Sequence, residues 1–99
     1  MNYKIVVSPI AKQNIEDAVD YYVKQVSTKV ALEFLKDYRK TYKALQKNPF
    51  YQFHDTNYRF IPFKKFKYIA FFIVDEKNKT VFINAIFNTY QDPEKQPRI

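Results

Sequence analysis

Two neighbouring apolar runs between Phe66 and Ile86 constrain the fold of this chain more than any other feature. In the first run, residues 67–75, both alternating sets of side chains are apolar. One set is Tyr68, Ala70, Phe72 and Val74, and the other is Ile69, Phe71 and Ile73. A strand of this kind lies in a sheet that is covered on both faces by the chain itself, or in a sheet with one face that a partner covers. Residues 80–88 form a second such run, and the polar turn between them offers Asn78 for a left-handed backbone conformation.

The residues before this hairpin predict one strand and two helices. Residues 2–8 read as a strand, after which Ser8 and Pro9 are typical of a helix start. Apolar residues then recur in steps of three and four as far as Val26, and a second stripe follows a break at which Ser27 or Thr28 can cap the next helix. Two amphipathic helices with a short connection favour an antiparallel helical hairpin.

The order of elements predicts an α+β fold of the type β-α-α-β-β-β. Asn48 and Pro49 end the second helix, and residues 58–63 read as the strand that precedes the long hairpin. We expect the last three strands to form an antiparallel meander with the two helices packed on one of its faces. The first strand should join the same sheet, at an edge that the sequence leaves open. We expect residues 1–99 to form a single domain, with residues 90–99 as a polar C-terminal tail.

Composition excludes several classes of site. The chain has no Cys, which removes disulfides, thiol catalysis and a Cys-based zinc site. It has no Gly, so a Gly-rich phosphate loop and a dinucleotide fingerprint are absent, and we expect no cofactor and no metal. No signal-peptide core follows the N-terminus and no apolar run is long enough to cross a bilayer, so we expect a cytoplasmic protein that does not enter the membrane.

The chain is strongly basic, with a formal net charge of +7. The first fifty residues carry 9 Lys or Arg and 5 Asp or Glu, and the rest carry 8 and 5, so the excess is spread along the sequence. This charge favours a polyanionic target or an acidic partner. Ordinary solubility of a Lys-rich protein is the alternative explanation.

An ordered set of residues links this chain to a known family. The set is Ser8, Pro9 and Ala11 after the first strand, Tyr21 and Tyr22, Phe34, Asn48 and Pro49, Arg59, the segment 65–68, Asp75, and the segment 88–93. In this order they resemble the RelE/ParE superfamily of toxins from bacterial type II toxin–antitoxin modules, over about residues 3–93. The resemblance implies a growth-inhibiting toxin, of the kind associated with plasmid stabilisation, that is bound and neutralised by a cognate antitoxin.

The resemblance leaves the target of the toxin open. ParE-like members poison DNA gyrase, which we favour slightly, and RelE-like members are metal-independent endoribonucleases that cut mRNA in the ribosome. RelE-like catalysis is expected to use basic residues where this chain has Tyr68, Asn88 and Gln91, so the usual catalytic set is incomplete. A non-toxic or decayed basic binding module is the third alternative. A homodimer or a toxin–antitoxin heterotetramer is compatible with the family.

Candidate site residues follow from these alternatives. Arg59 and Tyr90 are the catalytic candidates, and Arg59 should point away from the helices if Tyr58 and Phe60 point inwards. The candidates for contact with nucleic acid or another target are Arg59, Lys64, Lys65, Lys67, Asn88 and Gln91. His54 beside Asp55 is more typical of a loop histidine than of a catalytic base.

One face of the hairpin is the candidate antitoxin surface. If Phe72 and Val74 pack on the helices, then Ile69, Phe71 and Ile73 form an apolar face that no later helix of this chain covers. Monomers seldom leave such a face open, so we expect an antitoxin segment or a second copy of the chain to cover it.

Overall fold

The computed structural model describes residues 2–51 and 58–89, and it places both helices on one face of a four-stranded sheet. The elements are β1 (Lys4–Val7), α1 (Pro9–Gln25), α2 (Thr28–Lys47), β2 (Arg59–Pro62), β3 (Tyr68–Asp75) and β4 (Thr80–Asn88). The strand order is β1-β4-β3-β2. Strands β2, β3 and β4 form the predicted antiparallel meander, whereas β1 pairs in parallel with β4, so the sheet is mixed.

Both helices begin at the serines that the sequence indicated. Ser8 Oγ accepts a hydrogen bond from the Ala11 amide at 3.0 Å, and Ser27 Oγ accepts one from the Val30 amide at 3.1 Å. Val26, which the helical pattern assigned to the buried stripe, is instead 57% exposed. It is the C-cap of α1 and has a non-helical backbone, so its side chain leaves the stripe.

Strand register decides which set of β3 side chains faces the helices. Ala70 pairs with Ile61 on β2 and with Ile86 on β4, and all three are buried in the core cluster between the sheet and the helices. Phe34 of α2 is fully buried at the centre of this core. Its ring centroid lies 4.9–5.7 Å from four other aromatic rings, those of Tyr22, Phe63, Phe66 and Tyr68. The core is therefore largely an aromatic cluster gathered around α2.

A bulge in β4 joins α1 to the sheet. Phe71 pairs with Ala85 while Phe72 pairs with Ile83, which leaves Asn84 as an extra residue on β4. The Ser8 hydroxyl donates a hydrogen bond to the Asn84 carbonyl at 2.9 Å. Further along β4, the Ile86 amide donates to Asn14 Oδ1 at 3.0 Å. Because β1 ends opposite Ile83, side chains of α1 take over the pairing along this edge of β4.

The turn between β3 and β4 uses a different left-handed residue from the one expected. Lys79 has a φ of 50°, whereas Asn78 does not have a positive φ. Asn78 instead binds the Asp75 carboxylate, through its side-chain Nδ2 at 2.8 Å and its backbone amide at 3.2 Å. Asn78 is thus held by a local side-chain bond, and the left-handed conformation falls on the next residue.

A buried carboxylate fixes the connection between β2 and β3. Asp37 of α2 is only 4% exposed, and its Oδ2 accepts hydrogen bonds from the amides of Lys65 and Phe66, both at 2.8 Å. Its Oδ1 accepts from the Lys64 amide at 3.3 Å. Bonds from amides to a carboxylate are stronger than bonds between neutral groups. The β2–β3 loop is therefore tied to the middle of α2.

We expect Asp37→Ala to destabilise the fold by about 3 kcal/mol, because it leaves three amides near the core without their acceptor. Urea unfolding should show a clearly lower midpoint for this variant. Asp20→Ala, at an exposed position on α1, is the matched control and should change the unfolding free energy by less than about 0.5 kcal/mol. Equal stability of the two variants would contradict the role assigned to Asp37.

Candidate functional site

The side of the sheet that faces away from the helices carries a continuous apolar surface, which we call the outer sheet face. Side chains of paired residues point to the same side of a sheet. Phe71, for example, pairs with Phe60 and Ala85. The outer sheet face consists of Val6, Phe60, Ile69, Phe71, Ile73, Phe82, Ala85 and Phe87. In the ranges 2–51 and 58–89 both helices lie on the opposite side, so neither of them covers this face.

The three predicted antitoxin-contacting residues all lie on the outer sheet face, but they differ in exposure. Phe71 is at its centre and is only 2% exposed, with the ring of Phe60 at a centroid distance of 6.4 Å. Ile69 and Ile73 are half-buried, and Phe82 beside Ile73 is 38% exposed. The face thus has a buried aromatic centre and accessible apolar side chains around it.

A cleft of about 610 Å³ opens between α1 and the adjoining ends of β3 and β4. Its lining residues are Asn14, Asp17, Ala18, Tyr21, Tyr22, Val26, Tyr68, Ile86, Phe87 and Asn88. Among the lining residues that the structure describes, Asp17 is the one with a formal charge, so this part of the lining is neutral to acidic within a strongly basic chain. This is where Tyr68 and Asn88 meet, because they are paired across β3 and β4.

Two tyrosines of the cleft lining, Tyr22 and Tyr68, interact with each other. Burial raises the pKa of the Tyr22 phenol above its ordinary value, and the hydrogen bond to Tyr68 raises it further. Tyr22 therefore holds its proton more firmly than an exposed tyrosine. A phenol in this state is a poor general base near neutral pH.

Two of the predicted target-binding residues, Lys67 and Asn88, lie close together along the backbone, and of these two Asn88 belongs to the described lining of the cleft. Asn88 lies in the lining, and Thr89, which follows it, donates two hydrogen bonds to the Lys67 carbonyl. The bond from the Thr89 amide is 2.8 Å long and the bond from its hydroxyl is 3.0 Å long. Lys67 itself is exposed. The structure thus brings Lys67 and Asn88 together.

Lys64 and Lys65 lie against α2, on the loop that Asp37 holds. Lys65 Nζ forms a salt bridge of 2.8 Å with Glu33 Oε2. The hydrogen bond and the charge of Lys65 lower the pKa of the Glu33 carboxyl below its usual value. Both lysines are exposed beside α2, and the ammonium of Lys65 is paired with Glu33.

Arg59 lies on the helix side of the sheet, so its predicted direction is wrong. It pairs with Phe72, a residue of the helix-side core, while Phe60 lies on the outer sheet face. The register of β2 therefore turns Arg59 to the helix side and Phe60 away from it. The Arg59 guanidinium donates to the Tyr51 carbonyl at 2.7 Å and lies over the Phe50 ring, 5.3 Å from its centroid. These contacts fasten Arg59 to the segment that follows α2.

The remaining candidates cannot be placed in this geometry. His54, Tyr90 and Gln91 lie outside the described residues. Their assignments remain predictions.

A sequence model of the ParE toxin of type II toxin–antitoxin systems, parDE, matches residues 5–93. The chain belongs to this family. No curated protein matches this ParE-family chain.

Solved structures of toxin–antitoxin systems have the same fold as this ParE-family chain. A chain of the chromosomal ParDE system from P. aeruginosa has a TM-score of 0.74 at 20% identity, covering 87% of this chain and 95% of that one. A chain of the Mycobacterium tuberculosis RelBE2 toxin–antitoxin complex has a TM-score of 0.61 at 10% identity, covering 89% and 99%. A chain of the intact E. coli RelBE complex has a TM-score of 0.54 at 10% identity, covering 90% and 99%. These likenesses confirm the predicted RelE/ParE-like α+β fold.

The cleft of this ParE-family chain contains residues that the sequence did not single out. Asn14 and Asp17 are polar residues beside the apolar stripe of α1, and Asp17 is exposed. Their signal was their spacing, because Asp17 and Ala18 lie three and four residues after Asn14, which places both of them near it on the helix surface. In the part of the chain that the structure describes, no helix is long and apolar enough to cross a membrane.

Tyr22 predicts a measurable response of stability to alkaline pH. Its folded pKa lies above the ordinary value of 10.0, so its contribution to stability is complete below about pH 10 and is lost as the pH rises further. We expect the unfolding free energy of Tyr22→Phe to fall less steeply above about pH 10 than that of the parent. Val23→Ala, at an exposed position of α1 that has no titratable group, should give a curve parallel to that of the parent. Parallel curves for Tyr22→Phe and the parent would contradict the prediction.

Proposed function

We propose that this ParE-family toxin acts by binding its target, DNA gyrase, and that it is not a ribonuclease. The observation that supports the proposal is the lining of the cleft, in which the one formal charge among residues 2–51 and 58–89 is the carboxylate of Asp17. This cleft contains Tyr68 and Asn88, the positions at which the resemblance to RelE-like enzymes implies catalytic basic residues.

The chemistry of RNA cleavage argues against a nuclease site in this cleft. Attack by a ribose hydroxyl requires a group that accepts its proton and a positive charge that stabilises the developing phosphorane. Tyr22 holds its proton firmly, and the carboxylate of Asp17 repels a phosphate. Loss of one acid–base role lowers the rate roughly a hundredfold or more, so the cleft is poorly suited to this reaction.

We also propose that a cognate antitoxin binds the outer sheet face. Exposed and half-buried apolar side chains surround Phe71 there, and a contiguous apolar face of this kind is typical of a protein interface. The net charge of +7 favours an acidic partner. The Mycobacterium tuberculosis structure with the same fold is itself a toxin–antitoxin complex.

Induction of the chain in bacteria tests the proposed target. We expect growth arrest together with gyrase-dependent DNA breakage, and no codon-phased cuts when mRNA 5′ ends are mapped by primer extension. Codon-phased cuts without DNA breakage would replace the proposal with a RelE-type endoribonuclease. Normal growth at full expression of folded protein would instead indicate a non-toxic binding module.

Substitution on the outer sheet face tests the antitoxin surface. Ile73→Lys should weaken binding of the proposed antitoxin by about thirtyfold, because a lysine ammonium would be desolvated in an apolar contact. Ile73→Val keeps the apolar contact and should stay within about threefold of the parent. Calorimetric titration measures both, after circular dichroism has shown that both variants are folded. Equal binding by the two variants would remove Ile73 from the interface.

A further inference from the structure

The outer side of α2 presents a surface of a single charge sign. From position 36 to the end of the helix, every residue that is exposed is a Lys or an Arg. We call this set the α2 basic face: Lys36, Arg39, Lys40, Lys43 and Lys47. Residues 28–47 contain six cations and two carboxylates, so the positive excess of the first fifty residues comes from this one helix. The positive excess of the first fifty residues is therefore concentrated on one helix.

Of the two carboxylates of α2, only Glu33 lies near this face, where it interacts electrostatically with Lys36 as well as with Lys65. Asp37 points into the protein, where it accepts the three amides of the β2–β3 loop, and Glu33 pairs with Lys65. Among residues 2–51 and 58–89, no salt bridge involves a member of the α2 basic face. Like charges three and four residues apart on a helix destabilise it. The α2 basic face thus weakens its own helix.

The β2–β3 loop extends the α2 basic face. Lys64 and Lys65 are held beside α2 because their amides bind Asp37, which lies one residue after Lys36 and three residues before Lys40. Both lysine side chains are exposed. Two segments that are distant in sequence therefore contribute to one positive surface.

The composition of this surface fits a phosphate backbone better than a protein. The centres of protein interfaces are rich in aromatic residues and poor in lysine, whereas here the exposed residues are all cations. Lys36 and Lys47 are eleven residues apart, which is about 16 Å along a helix. Duplex DNA carries roughly ten phosphate charges over that length.

We infer that the α2 basic face, together with Lys64 and Lys65, binds the phosphate backbone of duplex nucleic acid without regard to sequence. This goes beyond the proposed function, because it needs neither gyrase nor an antitoxin. The surface lies on the side of the helices that faces away from the sheet, so it is distinct from the outer sheet face.

Salt dependence of binding tests the inference. The purified full chain is titrated into a short labelled DNA duplex, and separately into an RNA duplex of the same length, between about 50 and 200 mM salt. The test variant replaces Lys36, Lys40, Lys43 and Lys47 by Gln. The control replaces four exposed lysines elsewhere, Lys4, Lys12, Lys24 and Lys77, by Gln. Both variants lose the same charge, so the comparison separates position from total charge.

We expect the slope of log Kd against log salt concentration to fall by about three to four in the test variant and by less than about one in the control. If the test variant unfolds, the pair Lys40→Gln and Lys43→Gln should show about half of that fall. Binding of one duplex type alone assigns the surface to that nucleic acid, and binding of both indicates recognition of the shared backbone.

Three outcomes would overturn the inference. The first is no saturable binding of either duplex at the lowest salt concentration, and the second is an equal fall of the slope in both variants. The third is loss of antitoxin binding in the test variant while its binding to both duplexes is unchanged, which would assign the α2 basic face to a protein partner.

Discussion

The hydrogen bonds of Asp37 set the arrangement of the rest of the molecule. A carboxylate in the middle of α2 accepts three amides of the β2–β3 loop, so the sheet and the helix are joined at one buried point. Phe66, whose amide is one of the three, packs its ring against Phe34 and Tyr22. Because Asp37 binds the Lys65 amide, it also places Lys65 beside Glu33, the other acid of α2, and these two form a salt bridge. From position 36 to the end of the helix, the exposed side chains are then all cationic. Core packing and surface charge thus depend on one interaction.

The bulge in β4 has a comparable role for the cleft. Since β1 ends opposite Ile83, the edge of β4 beyond that point needs other partners for its backbone groups. Ser8 and Asn14 supply them from α1, and this holds the first turns of the helix close to the strand. The cleft opens further along, where α1 and the ends of β3 and β4 separate. The form of the cleft therefore depends on how α1 is fastened, and its described lining depends on the identities of Tyr68 and Asn88.

Periodicity predicted the elements of this fold and their caps, because spacing of apolar residues and helix-start residues are local signals. It did not predict where Arg59 points. Strand β2 has only four residues, and apolar residues lie on both sides of Arg59 in the sequence. The pairing of β2 with β3 therefore decides which of its side chains face the helices. The buried role of Asp37 was also not predicted, because a carboxylate is expected to face solvent unless its hydrogen-bond partners are known. Its position three residues after Phe34 and eight before Leu45 was the available signal, because that spacing places it on the buried stripe.

The placement of the two exposed surfaces constrains how a partner could silence this toxin. The outer sheet face and the α2 basic face lie on opposite sides, because both helices pack on the same side of the sheet. A partner that covered only the sheet would leave the cations of α2 open to solvent. A partner that covered both would have to pass around an edge of the sheet, which is β1 or β2 in the observed strand order. An extended antitoxin segment can follow such a path, whereas a compact domain docked on one side cannot.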